Sequence, residues 1–118
     1  MRFIDRSLTN MCLKKSGNVA MLLSIIIPVY NLEHYIVKTL DALLIVESDD
    51  YEVIVINDGS SDASEEIVRK YITCHPGNKI LFYSKDNGGV SSARNYGVQK
   101  AHGEYLLYLD GDDSLAGD

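Results

Sequence analysis

Several things are scarce in this chain, and each scarcity closes a door. Tryptophan is absent, and 118 residues include only two phenylalanines, two prolines and two cysteines. Two thiols, Cys12 and Cys74, make neither a disulfide framework nor a metal-ligand spacing, which points to a reducing compartment. Positive charge is in deficit: 11 Lys and Arg stand against 17 Asp and Glu, a formal net charge of −6. A broad electrostatic grip on nucleic-acid phosphate is therefore not expected. The longest apolar run, "AMLLSIIIPVY" at 20–30, is too short to span a bilayer and is interrupted by Pro28. Lys14 and Lys15 lie upstream as in a signal peptide, but no small-residue cleavage site follows. No G-x-G-x-x-G follows the first apolar segment and no P-loop occurs. Ser60, Ser61, Ser91 and Ser92 lack the G-x-S-x-G setting of a hydrolase nucleophile and read as caps. His34, His75 and His102 are scattered and read as solvated surface.

What is present is a composition of 46% hydrophobic and 24% charged residues, enough for one core and one domain. Residues 1–20 carry no clear period and read as a disordered tail or N-terminal extension, with Met21 competing with Met1 as the start. From residue 21 to 118 a rhythm sets in. "LLSIIIPV" (22–29) reads as a strand. The stretch 32–44 places Leu32, Tyr35, Ile36, Leu40, Leu43 and Leu44 on one helical face, with Asn31 as cap. "YEVIVIN" (51–57) is almost continuously apolar, as in a strand covered on both faces. Residues 62–72 form a helix, with Asp62 and Glu65 in capping-box spacing and Ile67, Val68, Tyr71 and Ile72 as its apolar stripe. "KILFYS" (79–84) is a third strand, 89–101 a third helix stopped by Gly103, and 104–110 a fourth strand. This alternation is that of an α/β unit with a mostly parallel sheet.

Ligands of such sheets bind at the edge where the strands end. Here the strands are followed by "PVYN", "NDGSSD", "KDNGG" and "DGDD". Asp110, Asp112 and Asp113 crowd together, and unpaired carboxylates that close repel. A hard divalent cation, Mg²⁺ or Mn²⁺, with substrate phosphate completing its shell removes the repulsion, and Gly111 leaves room for a ligand. Taken alone, D-x-D is a weak pattern that reads more simply as an acidic turn solubilising the strand end. Asp58 offers an acceptor for a base N–H, or is an ordinary turn residue. Arg94, early in the third helix, grips phosphate or braces a carboxylate, or is a surface arginine.

Taken together, "SIIIPVYN", "VIVINDGSSDAS" and "NGGVSSARNYGVQKAHGEYLLYLDGDD" resemble, in order and spacing, the nucleotide-binding half of family 2 glycosyltransferases. The resemblance covers about residues 22–115. It implies a three-layer, Rossmann-like GT-A fold with strand order 3-2-1-4, and an inverting transfer from a nucleotide-sugar, a UDP-sugar by preference, to a hydroxyl of a carbohydrate or lipid-linked acceptor. It places Pro28, Val29 and Tyr30 around the base, Glu33 near the mouth, Asp58 on the uracil ring, and Gly89 and Arg94 beside the nucleotide. Asp110, with Gly111 next to it, falls at the ribose or a metal-bound water, and Asp112 on Mn²⁺ or Mg²⁺. Many relatives build surface polysaccharide at the cytoplasmic face of the membrane, so a cytoplasmic location, at the membrane periphery, is implied.

The departure from the family is length. Only "DSLAGD" follows the D-x-D stretch, whereas the family's general base and acceptor elements come later. The expectation is a donor-binding part truncated after the D-x-D strand, with its base beyond Asp118 and an exposed edge on the fourth strand. The alternative from another class is a non-catalytic nucleotide- or partner-binding module of the same fold. A receiver-like domain would need an acidic pair directly after the first strand, which "PVYN" does not supply.

Overall fold

An apolar run with branched residues at nearly every position cannot leave either face in water, so "MLLSIIIPV" becomes the middle of the sheet. The computed structural model describes residues 12–14, 21–45 and 50–110. Its elements in chain order are β1 (Cys12–Lys14), β2 (Met21–Val29), α1 (Ile36–Leu44), β3 (Tyr51–Asp58), α2 (Ser64–Cys74), β4 (Ile80–Lys85), α3 (Val90–Lys100) and β5 (Gly103–Tyr108). The sheet order is β1-β5-β2-β3-β4. Strands β4, β3, β2 and β5 are parallel neighbours, which is the expected order 3-2-1-4.

The two faces of β2 feed two cores. Leu23, Ile25, Ile27 and Val29 pack with Val53 and Val55 under Ile36, Leu40 and Leu43 of α1 and Val68 and Tyr71 of α2. Ile26, with Ile54, Ile56 and Leu106, faces Ala93 of α3. Helix α3 comes so close that a Cβ on Gly97 would lie 2.5 Å from Ile26 Cγ2, so that turn of the helix requires glycine.

Pro28 marks where the sheet opens. The Leu109 N–H donates to the Ile26 carbonyl at 3.0 Å, and two residues further along β2 Pro28 has no N–H to offer. The β2–β5 pairing ends at Ile26 and Tyr108, while β2–β3 pairing continues to Val29 and Asn57. The two neighbours part there, at the point where strand order reverses.

Two expectations are corrected. Residues 12–14, within the segment read as a disordered tail or N-terminal extension, form β1 and pair antiparallel with β5 from Tyr105 to Leu107, where an exposed edge was expected. Strand β5 is therefore not an open edge along those residues. Its unpaired N–H and C=O groups are a template that even a short strand without apolar periodicity can satisfy. Helix α1 starts at Ile36 and not at residue 32; residues 33–35 form a turn closed by the Tyr35 and Ile36 N–H groups on the Leu32 carbonyl, each at 3.0 Å. No described helix is long and apolar enough to cross a membrane.

Candidate functional site

The loop after β2 is clasped to the loop after β3. Asn31 takes up φ 53°, uncommon for a residue with a Cβ, and its Oδ1 accepts the Ser61 N–H at 2.8 Å and the Asp62 N–H at 3.2 Å. In return Ser60 Oγ accepts the Asn31 N–H at 3.0 Å and Ser64 Oγ the Leu32 N–H at 2.8 Å. Asn31 thus serves the α2 side and not, as its position suggested, the N-terminus of its own helix. The anticipated capping box is also rearranged: Asp62 accepts the N–H groups of Ser64 and Glu33, while Glu65 pairs with Asn57 and Arg69. Burial opposes ionisation of Asp62, but these donors outweigh it and hold its carboxyl below the ordinary value.

A second clasp joins β3 to the loop after β4 through Asp58, which is 3% exposed. Its Oδ1 accepts from Lys85 Nζ and the Gly88 N–H, each at 2.9 Å, and its Oδ2 from the Gly89 N–H at 2.9 Å. Asn87 Nδ2 donates to the Asp58 carbonyl at 2.9 Å. Burial alone would raise the Asp58 pKa, but Lys85 and the two N–H groups reverse it, leaving the carboxyl below its usual value. Gly59 fits here because φ is +68° and a Cβ would lie 2.6 Å from the Asn87 nitrogen.

The third wall comes from beyond β5. Asp110 is exposed and sits 3.4 Å from Arg94 Nη2 of α3, a long and weak pair. The Arg94 guanidinium lies 5.2 Å from the centre of the Tyr108 ring. Its Nε is buried and has no hydrogen-bond partner among the described residues.

Between these walls lies a cleft of about 490 Å³, lined by Pro28, Val29, Tyr30, Leu32, Asp58, Asn87, Gly89, Val90 and Asp110. That size is in the range of small-molecule sites. Pro28, Val29, Tyr30, Asp58, Gly89 and Asp110, all anticipated, are brought together. Glu33 and Arg94 are not among the lining residues. The Glu33 carboxylate accepts the Ala63 N–H at 2.9 Å and faces His34, so it closes the loop clasp. Gly111 and Asp112 lie outside the described residues. Lys85 and Asn87 were missed as site residues; "KDNGG" was noticed, but nothing local says that its lysine reaches Asp58. No group of three or more His, Cys, Asp or Glu is placed to hold a metal among the described residues. Asp110 contributes a single hard oxygen donor of the right chemistry.

A parallel sheet whose switch-point cleft opens between β2 and β5, with a carboxylate on each side, is a GT-A arrangement. Known proteins agree. Residues 24–118 match the family model described as Glycosyl transferase family 2, and the chain belongs to that family. It is 41% identical over 95 residues to the minor teichoic acid biosynthesis protein GgaB of Bacillus subtilis, covering 79% of this chain and 10% of that protein. S. aureus TarS 1-349 in complex with UDP-GlcNAc superposes with TM-score 0.71 at 34% identity, covering 80% of this chain and 27% of that 1-349 chain. The mannosyltransferase PcManGT of Pyrobaculum calidifontis, in complex with GDP-Man and Mn²⁺, superposes with TM-score 0.72 at 26% identity, covering 93% and 33%. The chain thus spans a third or less of each of these relatives.

Proposed function

We propose that this chain is the donor-binding part of an inverting glycosyltransferase that moves a sugar from a nucleotide-sugar, by preference a UDP-sugar, to a hydroxyl of a carbohydrate or lipid-linked acceptor. The observation that carries the reading is the convergence of Tyr30, Asp58 and Asp110 on one cleft at the switch point. Pro28, Val29 and the half-exposed ring of Tyr30 form an apolar wall for a nucleobase. Asp58, held ionised, accepts a hydrogen bond from the base edge. Asp110, on the opposite wall, faces the ribose and diphosphate, with the Arg94 guanidinium 3.4 Å behind it.

Mn²⁺ or Mg²⁺ would be held by Asp112 with the diphosphate, next to Asp110, and would supply charge neutralisation for the departing nucleoside diphosphate. The neighbours solved with UDP-GlcNAc and with GDP-Man and Mn²⁺ support this donor class and metal. The chain's own residues bind and orient the donor. The carboxylate base that takes the acceptor proton is assigned to none of them. The proposed setting is the cytoplasm, where the thiols stay reduced.

Calorimetric titration of the 118-residue chain with UDP, with and without Mn²⁺, tests the reading. Weak binding that Mn²⁺ strengthens, without sugar transfer by the chain alone, is the expected result. No UDP binding in either condition overturns the donor-site reading; transfer by the purified chain overturns the assignment of the base.

A further inference from the structure

The Asp58 carboxylate has four lone-pair sites in its plane, and three of them are occupied. Lys85 Nζ and the Gly88 N–H share Oδ1, and the Gly89 N–H takes one site on Oδ2. One acceptor site, on Oδ2, is left over on a residue that lines the cleft. Lys85 is well placed to enforce this count: its side chain is 17% exposed, and its other bond runs to the Asp86 carbonyl at 2.6 Å. The ammonium is fastened on both sides and cannot turn into the cleft without giving up both bonds.

From this geometry we infer that Lys85 is the residue that sets nucleobase preference: sharing Oδ1 with the Gly88 N–H, its ammonium keeps the buried carboxylate charged, so that Asp58 presents a single ionised acceptor. The inference deepens the donor-site reading and rests on it. A base with an imide N–H at its edge, as in uracil or thymine, matches a lone acceptor. Cytosine carries a ring-nitrogen acceptor at the same place, and two acceptors repel. Lys85 does this without touching the nucleotide, so it is a positioning residue. Without its charge the carboxyl, still held by the Gly88 and Gly89 N–H groups, takes up a proton more readily, and a protonated carboxyl can donate to the cytosine ring nitrogen.

The test is binding of UDP and CDP to the full chain and to Lys85→Met, Lys85→Gln and Lys85→Arg, with circular dichroism to verify folding. In Lys85→Met, UDP affinity falls about tenfold, because the Asp58 acceptor loses the charge that keeps it ionised, while CDP affinity changes little, so the preference shrinks. Lys85→Arg, which keeps the charge and donors, retains most of the preference, and Lys85→Gln falls between. Should Lys85→Met fail to fold, the Gln and Arg variants carry the same comparison. Equal losses for UDP and CDP would make Lys85 a merely structural tether and overturn the inference, as would an unchanged preference in Lys85→Met or Lys85→Gln. Failure of the unsubstituted chain to bind UDP overturns the donor-site reading and this inference with it; binding that ignores Lys85 overturns this inference alone.

Discussion

Glu52 and Asp58 stand near opposite ends of β3, and both are buried, at 5% and 3% exposure. Glu52 Oε2 accepts the Ser24 hydroxyl and the His102 N–H, each at 2.6 Å, and Oε1 lies 3.0 Å from His102 Nδ1. Ser24 Oγ in turn accepts the Gly103 N–H at 2.8 Å. All these partners belong to β2 or to the start of β5, and Ser24 is the register partner of Glu52 itself. The network fixes how β5 enters the sheet, and neither Glu52 nor Ser24 lines the cleft. Asp58 is satisfied by a loop and a lysine, and it opens onto a cleft. A buried carboxylate is therefore no sign of a site by itself. What separates the two is where the donors come from and whether an acceptor is left facing a cleft.

The sharpest way to break this contrast is Glu52→Ala. It strands the Ser24 hydroxyl and the His102 N–H, each worth about 1–3 kcal/mol when unsatisfied, so a loss of about 3 kcal/mol of folding stability is expected. Urea denaturation reads it, and the UDP preference of whatever remains folded should be unchanged. An altered preference would mean that the two ends of β3 are not independent.

Asp58→Asn acts on the other end. The amide keeps the size but presents a donor where the base needs an acceptor, at about 1–3 kcal/mol, or one to two decades of UDP affinity. Discrimination between UDP and other nucleoside diphosphates should narrow while any Mn²⁺ response survives. Asp112→Asn should do the reverse, removing the Mn²⁺ response and leaving base discrimination intact. Calorimetry of both variants with UDP, ADP and GDP, with and without Mn²⁺, makes the comparison; equal losses for every nucleotide would sink the division of labour.

The smallest effect is in the acid limb of stability. Asp58 and Asp62 both have folded-state pKa values below the ordinary one, through the donors that outweigh their burial. Such groups contribute stability above the unfolded carboxylate pKa of about 3.9, and lose it as pH falls through the lowered folded value. The clasps on both sides of the Gly59–Asp62 loop should therefore loosen below about pH 4. Asp58→Asn and Asp62→Asn should each flatten the fall in stability over that range, as read by denaturation at stepped pH. An unchanged slope in both would show that the acid limb is set elsewhere.

Much of this was legible beforehand, and the reasons differ by element. Strands β2 and β3 declared themselves through nearly continuous apolar runs, and α1 and α2 through apolar stripes that pack as Ile36, Leu40 and Leu43, and Val68 and Tyr71. Loop residues gathered at one edge because every parallel strand must end there. His102 was read as solvated surface; its side chain is indeed 67% exposed, but its Nδ1 is bound to Glu52. An exposed ring and a hydrogen-bonded ring leave the same mark on a sequence. Likewise Glu33 looked like a mouth residue and turned out to close a loop clasp.

By itself, then, the sequence determined the elements from β2 to β5, their mostly parallel arrangement and the edge that carries the polar loops, because periodicity, turn residues and chain connectivity are local. Tertiary structure alone decided that Lys85 reaches Asp58, that Asn31 caps a neighbouring loop, that Glu52 is sealed between Ser24 and His102, and that residues 12–14 cover β5. Each of those pairings joins residues far apart in the chain, and a hydrogen bond is made only where the fold brings donor to acceptor within about 3 Å.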